Sequence, residues 1–420
     1  MRRTRRALAV LAVVAPVALG AVPPAALAAG VERHELPADG VFRLVGAGWG
    51  HGRGMSQWGA QRAATEGRTH RQILGFYYPG TTLGTGPVRT VRVLIAGDTG
   101  RTLVVRAVSR LRATYRTPTG TVTRTLPRTP SACPVRATRW RAYATATGMR
   151  LDAYCGRWRT VVKPAKLARG STLSFSVPGS LVATQDGTVR RGYRGSVIAT
   201  RLSTTRVRVV NRLSMEQYLR VVTAAEVPAS WPTEALRAQA VAARSYATYE
   251  IATRSGGFDV YDSTRSQAYP GARGYDSRWR VTAVREHPRT DRAVADTAGV
   301  VVLAEGRPAL TQFGSSNGGA TADTILAYMT ARADAWDAAA TGNPRRTWTD
   351  TVTARSLAGR YPALGTVTAL EVLDREGVGS WGGRVARLRI VGTRGSVTLA
   401  TDSAIRAALG TYSSYFTIRG

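Results

Sequence analysis

Residues 223–253 read TAAEVPASWPTEALRAQAVAARSYATYEIAT. One acid, Glu226, stands before Val227-Pro228, and a proline drives the residue ahead of it out of the helical region. Ser230-Trp231-Pro232 then opens a helix, because a first turn tolerates a proline whose missing N–H would go unpaired there anyway. Glu234 suits the positive end of that helix's dipole. From Thr233 to Thr253 no Gly or Pro intervenes, and Leu236, Ala240, Ala243 and Ala247 keep the spacing of a buried face. Small side chains on that face let another backbone approach closely. Glu226 is thus expected on a rigid turn beside a buried helix, where a carboxylate with a raised pKa can serve as acid and base. By spacing alone it reads more readily as an ordinary capping or solvated acid.

The wording of the segment narrows that choice. AEVPASWPTEALRAQAVAARSYA resembles the signature of the stage II sporulation protein D (SpoIID/LytB) family. The resemblance implies that Glu226 is the acid of the family's E-[MV]-P element, the catalytic residue of a peptidoglycan lytic transglycosylase. GWGHGRGMSQWGAQ at 48–61, followed by ILGFYYPGT at 73–81, resembles a second element of the family. Many relatives carry it near the C-terminus. Its place here implies a permuted order, with the segment folding back onto the same domain. LTQFGSSNGGATAD at 310–323 resembles the family's strand and turn beside the cleft. The resemblance covers 45–82 and 193–420 and is weak or absent between them.

Six glycines alternate with other residues between Gly46 and Gly59, as in a backbone that approaches something closely. The run lacks the Gly-Lys-Ser/Thr of a phosphate loop. Trp49 and His51 are expected to border the cleft, the indole offering a flat face to a sugar ring. Ser315, Ser316 and Asn317 can supply hydrogen bonds to sugar hydroxyls, while Gly318 and Gly319 read equally as a structural turn. Gln239 and Arg244 are candidates for binding substrate, or for capping and pairing inside the fold. Asp259, Asp262 and Asp323 are the candidates for a distant partner acid. Some relatives carry a zinc-binding His-Cys pair where this chain has Arg265-Ser266, and the four histidines are scattered. No metal or cofactor is expected.

The chain has 420 residues and a formal net charge of +33, almost all of the positive charge being arginine. Arg2, Arg3, Arg5 and Arg6, the apolar run 7–19 and Ala26-Leu27-Ala28 read as an export leader with cleavage near Ala28. Removing those four arginines leaves +29, which attracts polyanions. Outside a bacterial membrane these are anionic wall polymers, and nucleic acid is not expected. No later stretch suggests a membrane span in the mature chain. Cys133 and Cys155 form an even pair in an exported chain, which favours a disulfide over two free thiols.

The expected fold class is α+β: antiparallel sheets, a central alanine-rich helix beside a substrate cleft, and a β-rich insertion. The expected divisions are a leader at 1–28, the glycine-rich element at 41–86, a β-rich insertion or wall-binding subdomain at 88–190, and a catalytic domain at 191–420. Helices are expected at 55–66, 70–76, 213–219 and 402–409. A turn at Gly97-Asp98 and strands at 140–144, 367–373, 385–391 and 396–399 complete the pattern. The resemblance implies cleavage of the bond between N-acetylmuramic acid and N-acetylglucosamine in peptidoglycan glycan strands. Its LytB branch implies the alternative, a non-catalytic enhancer of a wall amidase. A structural wall-binding protein is the third reading.

Overall fold

The computed structural model describes residues 30–87, 90–95, 100–167, 170 and 172–419. The segment expected to be an export leader and the turn expected at Gly97-Asp98 lie outside them. The architecture is α+β, as expected. Five helices position the site: α1 (Gln57–Thr65), α2 (His70–Tyr77), α3 (Met215–Glu226), α4 (Thr233–Thr253) and α5 (Pro288–Asp296).

Two large sheets enclose the main core. One has seven strands, with Thr90–Leu94, Val207–Ser214, Ser196–Arg201 and Thr172–Ser176 as consecutive neighbours. The other has eight, including Arg139–Ala144, Thr102–Arg106, Val182–Asp186 and Val189–Tyr193. Residues alternate in burial along Thr90–Leu94 and Arg139–Ala144, the period of a strand with one face packed. Val93, Val105, Trp140 and Phe175 from these strands meet Tyr218 and Leu219 of α3 and Ala240 and Ala243 of α4. Strands on both sides of residue 190 therefore pair and share one core, and the expected division at that residue does not fall at a gap in packing.

α4 matches its expected span. Leu236, Ala240, Ala243 and Ala247 are fully buried, yet burial is not confined to that stripe. Ala238, Val241 and Ala242 pack against α1 and α2 through Ala60, Ala63, Ile73 and Leu74. A helix covered on opposite sides needs small residues all round, which accounts for its alanine content.

The second helix boundary differs from expectation. The helix foreseen at 213–219 is α3, which begins in a capping box formed by Ser214 and Gln217 and continues to Glu226. It ends there because Pro228 holds Val227 extended (φ −136°, ψ 147°). Glu226 is therefore the last residue of a helix and not part of the rigid turn expected there. α1 starts two residues later than expected, since Met55–Ser56 pairs with Phe313–Gly314 and Ser56 caps the helix through the Gly59 N–H.

The two ends of the described chain meet in a further core. Val41–Gly46 lies between Trp348–Thr353 and Phe416–Arg419, antiparallel to both. Phe42 and Leu44 pack with Trp348, Leu370, Ile390, Ile405 and Phe416. Cys133 and Cys155 are joined by a disulfide. Replacing both by alanine is expected to lower unfolding free energy by about 3 kcal/mol through the lost loop restraint. Denaturant titration with and without reductant measures it, and identical midpoints would contradict it.

Candidate active site

Glu226 faces a cleft of about 600 Å³. Its Oε1 accepts the Ala268 N–H at 2.8 Å and its Oε2 accepts Gln57 Nε2–H at 3.3 Å. Burial pushes the carboxyl pKa up, while the two hydrogen bonds pull it down by a smaller amount, so it stays above the usual range. No ion pair joins Glu226 to a cation among the described residues, so the acid form is not opposed by a neighbouring charge.

The loop that delivers the Ala268 N–H is tied into the core. Tyr218 Oη–H donates to Gln267 Oε1 at 2.9 Å, and Gln267 Nε2 donates to the Ala243 carbonyl of α4 at 3.3 Å. Tyr269 lies over Tyr218 with ring centroids 5.1 Å apart and donates to Asn211 Oδ1 at 2.6 Å. These linked hydrogen bonds keep the grip on Glu226 rigid.

Gln57 comes from the glycine-rich element. As the first residue of α1, its side chain tilts back beyond the helix start, toward Glu226. The element reaches this place by close backbone contact. Gly48 has φ +78°, and a Cβ there would lie 2.8 Å from the Asn317 and Gly318 backbone. Gly54 has φ +62°, and its Cβ would lie 2.1 Å from the Gln312 carbonyl oxygen.

Trp49, His51 and Ser315 line the cleft with Glu226, as do Tyr246 and Ser266. Trp49 is 47% exposed and rests edge-on against Tyr412, 6.0 Å between ring centroids. His51 Nδ1 accepts the Arg53 N–H at 2.9 Å, which assigns the imidazole proton to Nε2. Burial, aided by Arg53, lowers its pKa to about 4, so the ring is neutral near pH 7.

Four expected site residues lie elsewhere. Ser316 and Asn317 are buried beneath the cleft wall and donate to Asp337 (2.9 Å) and Asp334 (2.7 Å). Their polar groups shape the turn, since Asp337 also accepts the Gly318 and Gly319 N–H groups. Gln239 is buried within α4. Arg244 is buried as well; it donates to Glu216 at 2.7 and 3.1 Å and to the Val294 and Val300 carbonyls, pinning α4 to its neighbours. The distant acids are also committed. Asp259 is held by the Arg92 backbone and guanidinium, Asp262 pairs with Arg191, and Asp323 accepts the Ala331 N–H. Among the described residues lining the cleft, Glu226 is the sole carboxylate. No group of three or more His, Cys, Asp or Glu among the described residues is placed to hold a metal ion.

Gln57 and the Ala268 N–H were missed by sequence reasoning. The signal for Gln57 was present in GMSQWGA, one residue after a capping serine. A backbone donor such as Ala268 N–H leaves no trace in side-chain identity.

Residues 203–303, which include Glu226 and all of α4, match the family model described as SpoIID, Stage II sporulation protein. An uncharacterized protein of Brachyspira hyodysenteriae is 35% identical over 147 residues, 34% of this chain and 37% of that one. The amidase enhancer of Bacillus subtilis is 55% identical over 42 residues, 10% of this chain and 6% of the enhancer. Stage II sporulation protein D of the same organism is 29% identical over 126 residues, 29% of this chain and 36% of that protein. The chain thus spans little more than a third of the length of two of these relatives and 6% of the amidase enhancer. Through the segment that ends one helix at Glu226 and buries the next, the chain is similar to the SpoIID/LytB family.

Proposed function

We propose that the chain is an exported, wall-associated lytic transglycosylase that cleaves the bond between N-acetylmuramic acid and N-acetylglucosamine. The observation that carries this reading is a single half-buried carboxyl with a raised pKa in a cleft with no second acid among the described residues. A hydrolase of this bond ordinarily uses two carboxyl groups. One suffices when the muramic acid's own 6-hydroxyl replaces water. Protonated Glu226 gives its proton to the glycosidic oxygen as the C1–O bond breaks. The resulting carboxylate is steadied by the Ala268 and Gln57 N–H groups. It then takes the proton of the 6-hydroxyl as that oxygen closes on C1. The acid is restored, no water is consumed, and the product carries a 1,6-anhydro ring. Trp49 offers a sugar-stacking face and His51 Nε2–H a neutral donor.

Mass spectrometry of digested peptidoglycan tests the proposal. Anhydro-muropeptides are expected; new reducing ends without them would indicate hydrolysis, and an unchanged glycan would overturn cleavage altogether. The match to an amidase enhancer favours one second reading, that the cleft binds glycan and speeds a separate wall amidase. That reading expects intact glycan and faster peptide release when an amidase is added. The formal charge suits retention among anionic wall polymers. No helix among the described residues is long and apolar enough to cross a membrane.

A pH profile follows from the same geometry. The first step needs Glu226 protonated, so activity falls as pH rises through its pKa. Gln57 donates to the carboxylate and so lowers that pKa. Gln57→Met keeps the chain's length and removes the donor, and is expected to move the alkaline limb of kcat/KM to higher pH. A limb that stays in place or moves down would contradict the role of Gln57.

A further inference from the structure

Glu226 is not the only charged group lining the cleft. Arg265 and Arg406 line it too, from different parts of the chain. Arg265 belongs to the loop that also carries the Ala268 N–H. Its guanidinium stacks 4.0 Å over the Tyr261 ring and touches the Tyr261 hydroxyl through Nη2 at 3.3 Å. Among the described residues it has no acidic partner within ion-pair distance, and it is exposed. Arg406 projects from the helix Asp402–Leu409, where Asp402 Oδ2 accepts its Nε–H at 2.8 Å. No other group among the described residues takes its two Nη atoms.

Both guanidinium groups are therefore oriented by a neighbour yet keep donors to spare, the condition for reading a planar anion. Neither forms an ion pair with Glu226, so they do not serve to ionise it. When Glu226 holds its proton for the first step and His51 is neutral, the charged groups lining the cleft are the two arginines. The cleft at that moment favours an anionic ligand.

We infer that Arg265 and Arg406 determine specificity by binding a carboxylate carried on the sugar strand beside the scissile bond. The inference rests on the glycan reading of the cleft. Two parts of peptidoglycan supply such a group, the free lactyl acid of a muramic acid without its peptide and the carboxyl groups of a stem peptide.

Calorimetry on full-length Glu226→Gln, which removes cleavage from the measurement, tests it. Three strands of equal length serve as probes: peptide-free glycan, the same glycan with its lactyl acid converted to the methyl amide, and peptide-bearing glycan. The free acid is expected to bind about tenfold or more tightly than the amide, the scale of a charge-assisted contact. Adding Arg265→Gln or Arg406→Gln is expected to erase most of that difference and leave binding of the amide unchanged. Arg265 is exposed, so its variant tests the proposal even where Arg406→Gln, which strands Asp402, disturbs the fold. Peptide-bearing strands that bind like the free acid support the inference with the stem peptide as source. Strands that bind like the amide support it with the lactyl group. Equal binding of all three strands, or an arginine variant that weakens all three alike, overturns the inference and leaves the glycan reading standing. Folded protein that binds none of the strands overturns the glycan reading itself.

Discussion

Replacing Glu226 by Gln will lower glycan cleavage by about two to four powers of ten, the contribution of a positioned acid and base. The change removes the titratable proton and little else. A glutamine Oε1 can still accept the Ala268 N–H, and the Gln57 amide can turn its oxygen toward the new Nε2–H. Folding should survive, and stability carries a sign of its own. Burial raises the folded pKa of Glu226 above its unfolded value. The stability linked to its proton is then fully present below the unfolded pKa and lost as pH rises through the folded one. A glutamine in its place undergoes no such loss. The variant should therefore melt no lower than wild type near pH 7, and any advantage should vanish in acid. Wild-type cleavage by a folded variant would remove Glu226 from the mechanism, and a lower melting temperature at pH 7 would contradict the burial argument.

Local chemistry made the helices legible. Ser56, Thr69 and Ser214 cap α1, α2 and α3, and the expected starts of α1 and α3 fell two residues early because Ser56 and Ser214 were passed over as caps. Pro228 marks the end of α3, but the reading placed Glu226 in a turn because it stopped the preceding helix at 219. Nothing between 220 and 225 breaks a helix, so continuation to the proline-enforced stop was the simpler expectation. The candidate site was half legible. Glu226, Trp49, His51 and Ser315 line one cleft, since aromatic, imidazole and carboxyl groups in glycine-rich or proline-flanked segments sit where backbone is open. Ser316 and Asn317 were misplaced because a polar residue in a turn binds inward as readily as outward. The deciding partners, Asp334 and Asp337, are distant enough in sequence to be invisible to local pattern. Arg244 failed for a similar reason: its carboxylate partner, Glu216, lies on a different helix. The pairing of strands across residue 190 was hidden as well, because register between distant strands is set by the core they share.

A chain shortened to begin at residue 88 will not fold to the native state. The segment 30–87 supplies Val41–Gly46, which sits between Trp348–Thr353 and Phe416–Arg419. Without it those two strands lose their common neighbour and face water with unpaired edges. The same segment supplies α1 and α2, whose Ile73, Leu74 and Tyr77 cover one side of α4. Phe42, Leu44, Ile73, Leu74, Tyr77 and Tyr78 are each at most 2% exposed. At about 1.5–3 kcal/mol for each buried side chain, their loss amounts to about 9–18 kcal/mol, at least as large as the whole stability of a typical domain. The shortened chain should aggregate, or lack a cooperative melt and any glycan cleavage. A second effect separates packing from chemistry. Residues 30–87 also carry Gln57, Trp49 and His51, so a shortened chain rescued in trans by peptide 30–87 should regain its melt and its cleavage together. Rescue with a peptide bearing Gln57→Met should restore the melt while shifting the pH profile. A shortened chain that melts cooperatively within a few degrees of the full protein and cleaves glycan at its rate would show the segment to be an independent attachment.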